Sequence, residues 1–498
     1  MSIRRDIKDT FFYKELSKDK QKQYFDAKAN KFLPAIDNIY YNLFIYGDYN
    51  GNSKLEGLFK ELEQLKNRVS SEHEPQPFNK NLNLDMGVHS IYKYRLTNSD
   101  LYDIFLTDYL PNGDTPRVHV QLNAYGLWTE STEKMLLDSY TEVINIFNPL
   151  GCNFSKSIEN RIDYAYHTNE IHNPEKIFVE NKLVCEMRTT MKRWHKTGRI
   201  EREEDRLALK NDYIALGNRK SNNVFIRIYN KGLEVVDKGY KGFFIEHWYQ
   251  NGLINFYDKY CLDKAYVEKN FDYIHKAKLE FYLENGTDNN TKALIKTLLD
   301  DHKVTLEQIK ETAKALMPQL TTVMNIEYQT MRKFYYPSDD FIDSLLEAKE
   351  RENASDILER LYKIIDNRKI FTEYLTSTTL SFRKKGSEEY LSWWARLKNT
   401  KQDCLITDKE LLRQYSRDLD DRMSKLKFIN SLATNAIYNN NLNTNIAEDI
   451  ETMMASLNEN DKQMLYQYSG KKKLKNEKLK NRKKDRLDKI TKQSSNIK

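Results

Sequence analysis

Phe225-Ile226-Arg227-Ile228-Tyr229-Asn230-Lys231 alternates apolar and polar side chains with a period of two, the pattern of a strand with one face in a core. Ile226 and Ile228 take the apolar face, and Arg227, Tyr229 and Lys231 take the other, so a tyrosine stands on an outward face between two cations. Two further segments repeat the scheme. In Asn160-Arg161-Ile162-Asp163-Tyr164-Ala165-Tyr166-His167 alternation aligns Arg161, Asp163 and His167. In Ala277-Lys278-Leu279-Glu280-Phe281-Tyr282-Leu283 it aligns Lys278, Glu280 and Tyr282 against Leu279, Phe281 and Leu283. Three such strands predict a sheet that carries a tyrosine, an aspartate, a glutamate and several cations on one surface, a set suited to metal-assisted attack on a phosphate. Tyrosine is abundant, with 33 in the chain, so the local pattern leaves Tyr229 open between nucleophile and ordinary strand residue.

A chain of 498 residues has room for roughly two to four domains and a substantial core. With 39% apolar and 31% charged residues, 16 Gly and 9 Pro, the composition is that of a helix-rich globular protein and excludes a fibrous or disordered one. The first residues contain no apolar leader core, and no run of about 18 uncharged apolar residues occurs, so the expected location is cytoplasmic, with no membrane partner. Cys152, Cys185, Cys261 and Cys404 are far apart and form no Cys-x-x-Cys. Reduced, buried thiols are expected, not a zinc site or a disulfide framework. The net charge of +7 is uneven, because residues 471–498 alone carry 13 Lys+Arg against 3 Asp+Glu and the remaining 470 are net acidic. That tail reads either as a solvated end or as an arm that neutralises phosphates.

The expected fold class is α+β, an antiparallel-sheet domain followed by a large helical region. An N-terminal helical region is expected over 1–85, the sheet domain over 86–286, a helical domain over 287–470 and the basic tail over 471–498. Strands are expected at 92–96, 102–106, 117–124, 160–167, 182–190, 212–217, 224–231 and 278–283, with helices at 131–147, 174–180 and 258–272. Beyond Asn285-Gly286 apolar residues recur every three or four positions. Trp393-Trp394 in that region suits core or interface better than base stacking.

In chain order the motifs are Val118-His-Val-Gln-Leu-Asn-Ala-Tyr-Gly126, a helix, Arg161-Ile-Asp163, Leu216-Gly-Asn-Arg-Lys-Ser221, Arg227-Ile-Tyr-Asn-Lys231 and Lys278-Leu-Glu280. This order resembles the replication initiation factor family of rolling-circle plasmid initiators and conjugative-transposon relaxases, over about residues 115–285. The resemblance implies that Tyr229 is the nucleophile, with Arg227 and Lys231 beside it. It also implies that Gly217, Arg219 and Ser221, with Arg161, contact DNA, and that Asp163 and Glu280 hold Mg²⁺ or Mn²⁺. The chain departs from the family's pattern twice, with Lys278 in place of an arginine and His167 in place of a second acid. Histidine is itself a ligand for manganese-type ions, so His167 joins the expected set. The implied partner is DNA at an origin of replication or transfer, with a helicase and a second copy of the chain as further partners.

A phenol with a pKa near 10 is a poor nucleophile at neutral pH and needs a neighbour that favours phenolate; Arg227 and Lys231 are placed to supply that field. The resemblance implies a 5′-phosphotyrosyl intermediate and a free 3′-hydroxyl. No Gly-x-x-x-x-Gly-Lys-(Ser/Thr) loop is present, as suits strand joining without ATP. Tyr213 is the fallback nucleophile, Glu186 and Arg188 form a second polar pair, and His247 reads as structural. Two alternatives stay open beside the nicking enzyme: a sequence-specific DNA-binding protein on the same scaffold without cleavage, and an assembly protein built on the helical region.

Overall fold

The computed structural model describes residues 7–26, 31–46, 52–86, 91–108, 116–171, 185–190, 194–195, 213–217, 223–335, 342, 345 and 355–402. The chain divides into a unit of residues 1–412 and a unit of 413–498, and the described residues all belong to the first. Expectations for the helix at 174–180, for Cys404, for the helical segments beyond 402 and for the basic tail lie outside them.

Thirteen strands are described: β1 (Phe32–Tyr46), β2 (Gln76–Pro77), β3 (Asn83–Asp85), β4 (Tyr94–Asn98), β5 (Tyr102–Leu106), β6 (Val118–Leu122), β7 (Asn153–Thr168), β8 (Cys185–Thr189), β9 (Trp194–His195), β10 (Tyr213–Leu216), β11 (Val224–Asn230), β12 (Met324–Met331) and β13 (Leu380–Lys384). Eleven of them form one sheet in the order β2-β3-β4-β5-β6-β1-β7-β12-β11-β10-β9, and β13 pairs with β8 apart from it. Every ladder is antiparallel. The protein is therefore α+β with a large antiparallel sheet and a helical region, which fills residues 231–316 between β11 and β12.

Ile226 and Ile228 on β11, Ile326 and Tyr328 on β12 and Ile162, Tyr164 and Tyr166 on β7 enter one core cluster. The helices Ser53–Glu72 and Thr132–Phe147 supply it with Leu55, Leu58, Leu62, Leu65 and Val69, and with Met135, Leu136, Val143 and Phe147. Each fully buried aliphatic side chain of this kind contributes about 1.5–3 kcal/mol, which fixes register, because a one-residue slip would turn the row to the other face. The opposite face was expected to be outward. Instead the helices Phe243–Gln250, Phe256–Val267 and Ile274–Asn285 contribute to a second cluster, which includes Ala165 of β7, Trp128, Phe244 and Trp248. The polar row beneath it is buried in consequence.

Three further expectations are corrected. Residues 1–85 are not all helical: β1 is a 15-residue strand paired with both β6 and β7. Lys278-Leu-Glu280 lies in the helix Ile274–Asn285, not in a strand. The strand signal does not end at 286, since β12 is central to the sheet. Trp394 is buried in the core and donates to the Thr376 carbonyl, in keeping with a structural role.

Candidate active site

Antiparallel pairing carries polar rows across neighbouring strands. Tyr229 on β11 stands opposite Asn325 on β12, which stands opposite His167 on β7. Two residues along, Arg227 faces Glu327; two further, Phe225 faces Gln329, which faces Asp163, which faces Asn38 on β1. Alternation on each strand turns these side chains to one face.

The Tyr229 hydroxyl donates to Glu327 Oε2 at 3.0 Å and accepts from Lys231 Nζ and Asn325 Nδ2, each at 3.1 Å. Glu327 is itself fixed, because the Arg227 guanidinium donates to both its oxygens at 2.7 Å and Gln329 Nε2 donates to Oε1 at 2.6 Å. Arg161 makes the matching fork onto Asp163, and Asn38 Nδ2 adds a bond at 3.1 Å. Lys231 does not continue the strand. It is the first residue of the helix Lys231–Lys238, capped by Asn230, and its ammonium turns back to Tyr229 while bonding Glu234 at 2.8 Å.

A bulge in β1 between Ile36 and Asn38 takes Asp37 out of the pairing register, and bulges redirect a side chain in this way. The Asp37 carboxylate accepts from Trp128 Nε1 at 2.7 Å and lies 3.9 Å from Lys231 Nζ. Trp128 in turn stacks on His167 with ring centroids 4.5 Å apart, and Trp248 Nε1 donates to His167 Nδ1 at 3.0 Å.

The electrostatics follow from burial. Burial pushes the Tyr229 phenol well above its ordinary range, and the Glu327 charge adds to the effect; Lys231 and Arg227 pull the other way without reversing it. The field of the two cations expected to favour phenolate is thus offset by Glu327. Burial works to neutralise Lys231, but Tyr229, Asp37, Glu234 and Glu327 outweigh it and keep the ammonium charged. Burial also works to raise Glu327, yet Arg227 and Lys231 hold its carboxyl below the usual carboxylate range. Asp163 is pushed up to about 6, burial outweighing Arg161.

The fold therefore brings Tyr229, Arg227, Lys231, Arg161, Asp163 and His167 together. Gly217 ends β10 with a φ of +86°, a conformation that glycine adopts without a Cβ clash; Arg219 and Ser221 lie outside the described residues. Glu280 is elsewhere: its carboxylate accepts from Tyr273 at 2.9 Å and lies 3.7 Å from Lys264. Lys278 is buried in the same helix. Tyr213 is the β10 partner of Tyr229 in register. Arg188 bonds Glu388 at 2.6 Å away from the main sheet. His247 packs edge-on against Trp128.

The expected ion ligands do not fit as a set, since Glu280 is remote and no group of three His, Cys, Asp or Glu donors gathers among the described residues. His167 is unsuited as well. An indole nitrogen can only donate, so Nδ1 spends its lone pair on Trp248 and the neutral ring carries its proton on Nε2. A different oxygen set is available in Asp163, Glu327 and the buried Gln329 Oε1, which has no hydrogen-bond partner. Mg²⁺ is typically held by one or two carboxylates together with substrate phosphates, so these residues fit such an ion in exchange for the guanidinium groups that now hold them. Glu327 and Gln329 were legible in Asn325-Ile326-Glu327-Tyr328-Gln329-Thr330, whose polar and apolar residues alternate as in β11. Asp37 had no such signal, because the bulge that presents it breaks the period.

No family model matches the chain, and no curated protein matches its sequence. Among solved structures the chain is similar to a rolling-circle replication initiator protein from Geobacillus stearothermophilus, at 12% identity over 74% of this chain and 96% of that one, with a TM-score of 0.30.

Proposed function

We propose that this chain nicks and rejoins DNA through Tyr229, in the initiation of rolling-circle replication or of conjugative transfer of a plasmid or mobile element. The observation that carries the reading is the Tyr229 hydroxyl held between an accepting carboxylate, Glu327, and a buried ammonium, Lys231. With its pKa raised, the phenol is less than about one part in a thousand phenolate at pH 7, so the proton must leave as the new bond forms. Glu327 Oε2 is the acceptor in place. As the Tyr229 oxygen bonds to phosphorus, the bond from phosphorus to the 3′-oxygen breaks, and the proton passed to Glu327 is returned to that leaving oxygen. Lys231 faces the charge that develops on the tyrosyl oxygen, and Arg227 fixes the orientation of Glu327. The 5′-phosphotyrosyl product retains a phosphoester bond, so attack by a 3′-hydroxyl reseals the strand without ATP. A divalent ion held by Asp163, Glu327 and Gln329 would withdraw charge from the phosphate.

A second reading, a DNA-binding protein on the same scaffold without cleavage, is favoured by one observation: Tyr229 is only 4% exposed. One experiment separates the two. The protein is incubated with supercoiled and single-stranded DNA and Mn²⁺ or Mg²⁺, and a covalent protein–DNA adduct is sought and mapped. The nicking reading expects the adduct on Tyr229, and expects Tyr229→Phe to abolish it while DNA affinity stays within a few fold, because phosphate contacts dominate affinity. DNA binding without adduct supports the second reading. An adduct on Tyr213 would transfer the role to that residue.

A further inference from the structure

Beside Tyr229 the buried row contains two polar atoms that the fold leaves without a partner, His167 Nε2 and Asn325 Oδ1. They are of opposite kind. The Trp248 indole fixes His167 as the Nε2–H tautomer, so that nitrogen is a donor, whereas an amide oxygen can only accept. The two residues are direct cross-strand partners on β7 and β12, which sets their Cβ atoms about 4.5–5.5 Å apart on one face. Asn325 spends its Nδ2 on the Tyr229 hydroxyl, so the same amide that positions the nucleophile offers its oxygen to a neighbour. His167 is wholly buried, stacked on Trp128 and edged by Phe244 and Trp248. Burial, aided by the nearby Lys231 charge, keeps its ring neutral. A buried donor and acceptor left unpaired cost about 1–3 kcal/mol each, and a fold keeps such a pair when something fills it.

A lone donor next to a lone acceptor matches an alcohol. A phosphate oxygen, which only accepts, would be repelled by Asn325 Oδ1, and a metal ion would be repelled by the Nε2 proton. We propose that His167 and Asn325 form the seat of the 3′-oxygen of the cleaved strand, with a water molecule filling it in the resting protein. This rests on the nicking reading. In the nicking direction His167 Nε2–H donates a hydrogen bond to the leaving 3′-oxygen as negative charge develops on it, without giving up its proton. Neutral histidine serves as an electrophile of this type where its ring is kept from protonating. In the joining direction the 3′-hydroxyl rests on Asn325 Oδ1 and accepts from His167, which turns a lone pair towards the phosphotyrosyl phosphorus. As that oxygen bonds to phosphorus and the phosphorus–tyrosyl bond breaks, its proton passes to Glu327 and on to the departing Tyr229 oxygen, the reverse of nicking.

The test compares adduct formation on an oligonucleotide with the natural bridging 3′-oxygen and on one with a bridging 3′-sulfur at the scissile position, a leaving group that needs little hydrogen bonding. His167→Ala should slow adduct formation on the oxygen substrate by about 10²-fold, the scale of one oxyanion donor, and on the sulfur substrate by no more than a few fold. His167→Gln, which can present an N–H near the Nε2 position, should restore most of the rate on the oxygen substrate. His167→Asn, which offers its oxygen near Nδ1 and so keeps the acceptor for Trp248, should not. Equal losses on both substrates for all three variants would overturn the proposal and leave His167 a packing residue, while wild-type adduct formation keeps the parent reading intact. Should the wild-type protein form no adduct on either substrate, the parent reading falls and this proposal falls with it.

Discussion

Removing the Glu327 carboxylate tests the site's architecture independently of any activity. Glu327 is 2% exposed at its side chain and accepts from Arg227, Gln329 and Tyr229. Glu327→Ala leaves the Arg227 guanidinium, itself only 24% exposed, without its counter-charge and strands two further donors. Breaking a buried pair from one side costs about 3–5 kcal/mol. Glu327→Gln keeps the volume and one acceptor but turns charge-assisted bonds into neutral ones and sets an amide N–H against other donors, for an expected loss of about 2–3 kcal/mol. The assay is urea unfolding followed by tryptophan fluorescence, read as a shift in midpoint at unchanged m. The decisive comparison adds Arg227→Leu. If the cost of Glu327→Ala comes from an orphaned cation, the double variant should be more stable than the two single losses imply, by at least about 1.5 kcal/mol. Additivity within about 0.5 kcal/mol would refute the reasoning, and would mean that Glu327 and Arg227 each face solvent or other partners.

Glu234 predicts a pH signature. Burial works to raise its pKa, but Lys231 and Lys238 hold it well below its usual 4.5. The unfolded chain therefore binds more protons than the folded one as pH falls below about 4.5. The stabilisation is fully present above that pH and is lost as pH drops towards the folded value, so Glu234→Gln should flatten the acid limb of a stability-versus-pH curve relative to wild type; an unchanged limb would remove the assignment. Deleting residues 471–498 should weaken binding to all DNA sequences alike and reduce the slope of log K against log salt, since this tail brings charge without aromatic residues. An unchanged slope would make it a solvated end.

How much of this was legible follows from which physical signal each segment carried. β11 and the second half of β7 were read correctly because one face of each is apolar and enters the main core, so period-two alternation survives in the sequence. The 277–283 segment shows the same alternation by coincidence. Ile274, Ala277, Lys278, Phe281 and Tyr282 are also spaced for a helix, and the helix prevails because both its sides are buried. β1 was missed because Pro34, Asp37 and Asn38 interrupt its pattern, and the bulge at Asp37 shifts its parity midway. β12 was hidden by the helical run that precedes it, although its own alternation is as clear as that of β11. His167 was taken as a metal ligand because it stands where the resembled family carries a second acid and because histidine binds manganese-type ions. The partner that fixes its tautomer, Trp248, is 81 residues away, and no local pattern reports a contact at that separation.

On the nicking reading, the charge balance of the site bears on what must accompany a DNA strand into it. Its buried or half-buried ionisable groups are three cations, Arg161, Arg227 and Lys231, and four carboxylates, Asp37, Asp163, Glu234 and Glu327, with the Lys238 ammonium a fourth cation 2.7 Å from Glu234. With all eight ionised these charges cancel, and a phosphodiester leaves the site one negative charge in excess. Burial in low dielectric makes that excess costly. Two carboxylates are poised to relieve it, since burial raises both Asp37 and Asp163, the latter to about 6. A proton on either offsets the phosphate, and for Asp163 that effect fades as pH rises above about 6. A divalent ion held by Asp163 and Glu327 would more than offset it, with two positive charges against one, and would compete with that proton for the Asp163 oxygen. The two routes predict opposite pH trends for strand binding, falling affinity above pH 6 in the first case and rising affinity at limiting metal in the second. Lys231 and Arg227 cannot substitute for either route, because their charge is already committed to Glu234, Asp37 and Glu327.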